Sequence, residues 1–135
     1  MASPWKVKRD NAEVKAWHDK LGRKVSLWNY TCKIGKRRLP GVPAVCPRAY
    51  GAYYKSVAPW TYGAYAESET DRLIFNYLNL YVFMKVSWNN ETDVDALLAE
   101  HNRLMFGPAA DEMGRITDLL EEKWTKGVVG TFEDG

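Results

Sequence analysis

The sequence predicts an α/β chain: a helix, a strand, a basic loop, a helix, a second strand and then three helices. Three observations lead there. Apolar residues recur at three- and four-residue spacing near the start and again throughout the stretch after Glu69. Residues 24–30 alternate apolar and polar side chains, the period of a strand with two unlike faces. Between these regions sit two copies of one aromatic tetrapeptide, Tyr50-Gly51-Ala52-Tyr53 and Tyr62-Gly63-Ala64-Tyr65. With 135 residues, 46% of them apolar, the chain has room for one domain and enough apolar side chains for a core.

From Asp10 to Leu21 the apolar positions Val14, Trp17 and Leu21 form a helical stripe, and Gly22 is its stop. Lys24 to Tyr30 is a strand that places Val25, Leu27 and Asn29 on one side and Ser26, Trp28 and Tyr30 on the other. Thr31 to Pro47 carries three prolines and two glycines around Lys36-Arg37-Arg38, a composition that cannot continue regular structure. The first tetrapeptide follows Pro47 and is expected to be helical; the second follows Pro59-Trp60 and is expected to be a strand. A helix between two strands makes them parallel neighbours.

Leu73, Ile74, Tyr77, Leu78, Tyr81 and Val82 form the next apolar stripe, which Asn89-Asn90 ends. Thr92 with Asp95 resembles a capping box ahead of Val94, Leu97, Leu98, His101, Leu104 and Met105. Gly107 closes that helix, and Pro108 suits the first turn of a last one carrying Met113, Ile116, Leu120 and Trp124.

Charge is split along the chain. Residues 1–60 hold 13 Lys+Arg against 3 Asp+Glu, and residues 61–135 hold 6 against 14. Two complementary layers of one fold explain this more simply than a nucleic-acid arm, because the basic run Lys33, Lys36, Arg37 and Arg38 lacks the interleaved aromatics of single-strand binders. Nucleic acid is therefore not an expected partner. Cys32 and Cys46 have neither CxxC spacing nor a neighbouring His, so reduced thiols are expected and no metal site or cofactor. His18 and His101 lie on helices as core or surface residues. The opening Met1-Ala2-Ser3-Pro4-Trp5-Lys6 has no apolar core behind its charge, and no run approaches the roughly 18 apolar residues of a membrane span. A cytoplasmic protein without a membrane partner is the expectation.

Four strings then stand in a telling order: Val25-Ser26-Leu27-Trp28-Asn29-Tyr30, Met84-Lys85-Val86-Ser87-Trp88-Asn89, Asp93-Val94-Asp95-Ala96-Leu97 and Phe106-Gly107-Pro108-Ala109-Ala110. Over about residues 10–124 they resemble the C-terminal part of a bacterial domain-of-unknown-function family of glycoside-hydrolase-like barrel proteins, related in layout to the alpha-glucuronidases. The resemblance implies the last βα units of a (β/α)₈ barrel followed by a three-helix C-terminal tail, in an incomplete domain. Residues 10–70 then correspond to βα barrel units and 71–126 to the helical tail.

The resemblance also implies chemistry. Barrel enzymes keep their working residues at the C-terminal ends of strands, here Asn29 and Tyr30 on one and Tyr65 and Glu67 on the other. Relatives often carry a Glu just after the second strand's aromatic; this chain has Ala66 there and Glu67 one position on. Glu67 is the candidate catalytic carboxylate. Trp28, Tyr30, Tyr62 and Tyr65, with Asn29, are candidate contacts for pyranose rings. Glycoside hydrolysis uses two carboxyl groups, about 5 Å apart for retention and roughly 6.5–9.5 Å for inversion, and no second acid is identifiable. The expectation is a carbohydrate-active fragment, inactive alone, whose other partner is the remainder of the barrel. The alternative is a helical module whose strand edges and aromatic face pack on another chain.

Overall fold

Two proline signals and one glycine punctuate the N-terminal half. Pro4 starts helix α1 (Pro4–Leu21), and Gly22, in the left-handed region at φ 63°, turns the chain into strand β1 (Val25–Tyr30). Pro47 occupies the first turn of helix α2 (Pro47–Val57), where its missing N–H costs nothing. A short 3₁₀ turn at Ala58–Trp60 leads into strand β2 (Thr61–Glu67). Helices α3 (Leu73–Trp88), α4 (Val94–Phe106) and α5 (Ala110–Lys126) follow, the last two joined by a 3₁₀ turn at Gly107–Ala109. The computed structural model describes residues 4–30, 44–67 and 73–126.

The strands pair in parallel, with Leu27 opposite Ala64, Trp28 opposite Tyr65 and Tyr30 opposite Glu67. The two tetrapeptides have different fates, Tyr50–Tyr53 inside α2 and Tyr62–Tyr65 inside β2, so flanking prolines and tertiary packing outweigh local sequence.

The barrel reading is overturned. The described residues are mostly helical, with a single two-stranded parallel sheet and no run of several barrel βα units. The reason lies in where the apolar volume goes. Barrel strands face one another around a shared interior, whereas here the core is helical. It is built from Tyr50, Tyr53, Tyr54 and Val57 of α2 against Leu78, Val82, Phe83 and Val86 of α3, closed by Leu98 of α4 and Trp124 of α5. From the strands, Leu27, Ala64 and Ala66 pack against this cluster only in part.

Two details tighten that core. Gly51 lets α2 approach its neighbours: a Cβ there would sit 2.8 Å from Val94 Cγ2 and 3.2 Å from Val82 Cγ1. The Asn79 side chain, 1% exposed on α3, accepts a hydrogen bond from the Cys46 N–H at 2.9 Å and donates one to the Ala44 carbonyl. It thereby fixes the segment that enters α2.

Three local readings change. Helix α1 begins six residues before Asp10, and Val7 with Val14 supplies its inward face, while Trp17 and Leu21 are exposed. The cap of α4 is Asp93, whose Oδ1 accepts from the N–H groups of Asp95 and Ala96; the Thr92 hydroxyl instead donates to the Asn89 carbonyl. Leu104 and Met105, placed on the inward stripe of α4 by spacing, are 66% and 64% exposed.

Among the described residues, charge complementarity between the two halves meets at Arg48. Arg48, from the basic half, meets Asp95 at 2.6 Å, Asp118 at 2.8 Å and Glu121 at 3.3 Å, all from the acidic half. The ion pairs link α2 to α4 and α5, a junction between helices.

Candidate functional site at the outer face of the sheet

Alternation along β1 turns Val25, Leu27 and Asn29 toward the helices and leaves Ser26, Trp28 and Tyr30 exposed. On β2, Ala64 and Ala66 pack inward, and Tyr65 stands outward opposite Trp28. The outer face therefore carries three cross-strand rungs in order: Ser26–Gly63, Trp28–Tyr65 and Tyr30–Glu67. The last two lie toward the C-terminal ends of both strands.

The middle rung is an aromatic corner. The Trp28 and Tyr65 rings have centroids 5.2 Å apart and planes at 66°, an edge-to-face pair. Trp28 is 67% exposed and Tyr65 58%, so this pair is not sealed into the core. The Trp28 indole Nε1–H donates to Glu67 Oε2 at 3.2 Å, which sets the carboxylate beside the aromatic corner. Tyr30, 47% exposed, stands opposite Glu67 in the register.

Two predicted contacts lie elsewhere. Asn29 faces the helical layer and donates from Nδ2 to the Tyr54 hydroxyl at 3.2 Å. Burial pushes the Tyr54 phenol up to about 12, and the Asn29 bond offsets part of that rise. Asn29 therefore ties the sheet to α2. Tyr62 is displaced by an irregularity in the pairing: Val25 is opposite Thr61, but Ser26 is opposite Gly63, so Tyr62 is an extra residue on β2. Its side chain is nevertheless exposed, and it borders a cavity of about 80 Å³ shared with Tyr54, Ser87 and Asn90.

The outer face includes a rung that attention to aromatics passed over. Gly63 is opposite Ser26 and has no atom within 4 Å of where its Cβ would be. The signal was present, because alternation already put Ser26 on the side of Trp28 and Tyr30.

Other features lie outside this face. A groove of about 580 Å³ between α4 and α5 is lined by Arg48, Asp95, Asn102, Arg103, Gly114 and Asp118 among others, and its acids Asp95 and Asp118 are engaged by Arg48. Buried His101 has one ring nitrogen 3.0 Å from the Tyr77 hydroxyl and the other 3.1 Å from Asn102 Oδ1. Among the described residues no group of three or more His, Cys, Asp or Glu is placed to hold a metal ion. No helix among them is long and apolar enough to cross a membrane. The basic run Lys33 to Arg38 and Cys32 lie outside the described residues.

Comparison with known protein families, curated proteins and solved structures finds no match to this chain. The outer face of the sheet is thus interpreted on its own chemistry.

Proposed function

We propose that the outer face of the two-stranded sheet binds carbohydrate. The observation that carries the proposal is the exposed Trp28–Tyr65 pair with the Glu67 carboxylate held on the Trp28 indole. A pyranose presents an apolar C–H face to an aromatic ring and hydroxyl donors at its edge. An ionised carboxylate offers only acceptors, and so complements those hydroxyls. Tyr30 adds a third ring, with a polar tip, one rung further on. The motif resemblance to glycoside-hydrolase-like proteins favours the same ligand class.

The proposal is one of binding. Hydrolysis needs a pair of carboxyl groups at the separations given above, and Glu67 is the one carboxylate on the three rungs. Glu67 is accordingly assigned as a hydrogen-bond acceptor for sugar hydroxyls, and the chain by itself is expected not to cleave glycosides. The reading takes the cytoplasm as the compartment.

The test is a titration of ¹⁵N-labelled protein with cellobiose, following the Trp28 indole N–H. Saturable movement of that resonance, lost in Trp28→Ala, supports the reading; an unmoved resonance at high millimolar sugar sinks it.

A second reading has an observation of its own. Parallel sheets are characteristically covered on both faces, yet this one leaves its aromatic face open. Packing on another chain would cover it. A monodisperse monomer in sedimentation velocity, whose Trp28 emission stays solvent-exposed over a wide concentration range, argues against that alternative.

A further inference from the structure

We infer that the groove between α4 and α5 is a second binding site, for a short zwitterionic peptide whose ammonium group lies toward Asp95 and Asp118 and whose carboxylate lies toward Asn102 and Arg103. The inference is independent of the carbohydrate reading of the sheet.

Asn102 is the residue that points to a ligand. It is buried, with 8% of its surface exposed, and it lines the groove of about 580 Å³. Its Oδ1 lies 3.1 Å from His101 Nδ1, and because an amide oxygen only accepts, that ring nitrogen carries the proton. The other ring nitrogen, 3.0 Å from the Tyr77 hydroxyl, then accepts. The amide is thereby held with its oxygen on His101 and its Nδ2 toward α5, 3.5 Å from where a Cβ on Gly114 would be. Among the described residues Nδ2 has no hydrogen-bond acceptor. A donor on a buried side chain gains from an acceptor, and here only an occupant of the groove can supply one.

Gly114 keeps that donor uncovered. It stands inside α5 without a left-handed backbone, since the positive-φ glycines are Gly22 and Gly107. A Cβ there would make one ordinary contact, to Nδ2 itself. Neither backbone nor close packing demands glycine, which is a poorer helix former than alanine. Its missing methyl group leaves the amide open to the groove.

Charge at the two ends of the groove sets the ligand's direction. At one end Asp95, Asp118 and Glu121 share the single guanidinium of Arg48. Asp95 and Asp118, with side chains 76% and 60% exposed, each use one oxygen on Arg48 and keep the other for a further cation. At the other end Arg103 makes no ion pair among the described residues. Asp111 also lines that end, and Arg115 has Glu112 at 3.8 Å, so Arg103 is the cation left for an anionic group.

Length follows from the helix. Asp95 and Asn102 are seven residues apart on α4, roughly 10 Å at about 1.5 Å per residue. Three extended residues span about the same, at about 3.3 Å each. Between the ends Leu98, Ala99 and Gly114 give a small apolar floor that suits methyl side chains.

Calorimetry with the full chain compares trialanine with N-acetyl-trialanine, which lacks the ammonium group, and with trialanine amide, which lacks the carboxylate. Trialanine is expected to bind most tightly, with each blocked form roughly tenfold weaker. Arg103→Gln, at an exposed position, should bring trialanine down to the affinity of the amide and leave the amide within about twofold of its own value. Gly114→Ala sets a methyl group against Nδ2 and should weaken all three peptides roughly tenfold or more. Alanine favours the helix and meets no close contact, so this variant keeps its fold.

No saturable binding of trialanine overturns the inference, as do equal affinities for the three peptides. So does a trialanine affinity that survives both variants, which would place the peptide elsewhere on the molecule. Each of these results leaves the carbohydrate reading of the sheet standing.

Discussion

Glu121 of α5 caps a helix to which it does not belong: its Oε1 accepts the Ala49 N–H at the start of α2 at 2.8 Å, while Oε2 takes Arg48 Nη1 at 3.3 Å. The residue before α2, Cys46, makes no side-chain cap, so an acceptor has to come from another element. A buried carboxylate at a helix N-terminus also meets the positive end of the helix dipole. Burial nevertheless dominates, and the Glu121 carboxyl is raised above the ordinary glutamate range despite these bonds.

That direction fixes a pH dependence. A carboxyl with a raised folded-state pKa holds its proton more tightly in the folded than in the unfolded chain, so stability is lost as pH rises from the ordinary value through the raised one. Glu121→Gln keeps an acceptor for Ala49 and removes this dependence. The variant's stability relative to the parent should improve from acid toward neutral pH in urea unfolding. A constant difference across that window would contradict the assignment. Glu121→Leu, which leaves α2 without a cap, should cost about 1 kcal/mol.

At Gly51, opposing effects have to be weighed. Alanine in a helix interior gains about 1 kcal/mol over glycine, but overpacking costs about 1–3 kcal/mol. A new Cβ at 2.8 Å from Val94 Cγ2 and 3.2 Å from Val82 Cγ1 has two β-branched neighbours with little freedom to yield. Gly51→Ala is expected to be net destabilising by about 1 kcal/mol or more. Adding Val94→Ala should recover part of the loss; strictly additive effects would show that the contact is not the cause.

Asn79→Leu removes both bonds to the chain entering α2 and leaves the Cys46 N–H facing an apolar group. The expected loss is about 1–3 kcal/mol, with faster amide exchange at residues 44–46 as its local signature. Unchanged exchange there would place the effect elsewhere in the core.

The element order was legible because each element carries its own punctuation. Pro47, Gly22, Asn89-Asn90 and Gly107 bound helices whose periodicity is plain, and the β1 alternation matches its exposure position by position. The outward placement of Trp28 and Tyr30 followed from that alternation. What did not follow depends on contacts distant in sequence. The extra residue between the Val25–Thr61 and Ser26–Gly63 pairs cannot be seen in either strand alone, and it leaves Tyr62 without a partner in the register, off the three rungs. The position of Asn29 at a strand end points to the site, but its partner, Tyr54, is 25 residues away on α2. The barrel expectation failed because motif order says little about which layer receives the apolar side chains, and here that layer is helical.

Trp28 gives the final prediction, because its two jobs are separable. Its ring forms the aromatic corner with Tyr65, and its Nε1–H orients Glu67. Trp28→Phe keeps an aromatic ring and removes the donor, whereas Glu67→Gln keeps the size of the side chain and removes the charge. If the carboxylate is useful because the indole aims it, both variants should weaken cellobiose binding to a similar extent. Glu67→Gln still offers the indole an acceptor and removes the charge alone, so the loss in the double variant should fall short of the sum of the two single losses if the indole and the carboxylate act together. Trp28→Ala should be worse than Trp28→Phe by the lost ring contact, about 1 kcal/mol or more. Stability should move little in all four, because Trp28 is 67% exposed and its hydrogen bond to Glu67 lies at the surface. Calorimetry with cellobiose, paired with thermal unfolding, measures both quantities. Fully additive losses from Trp28→Phe and Glu67→Gln would show that the indole and the carboxylate act on the sugar separately.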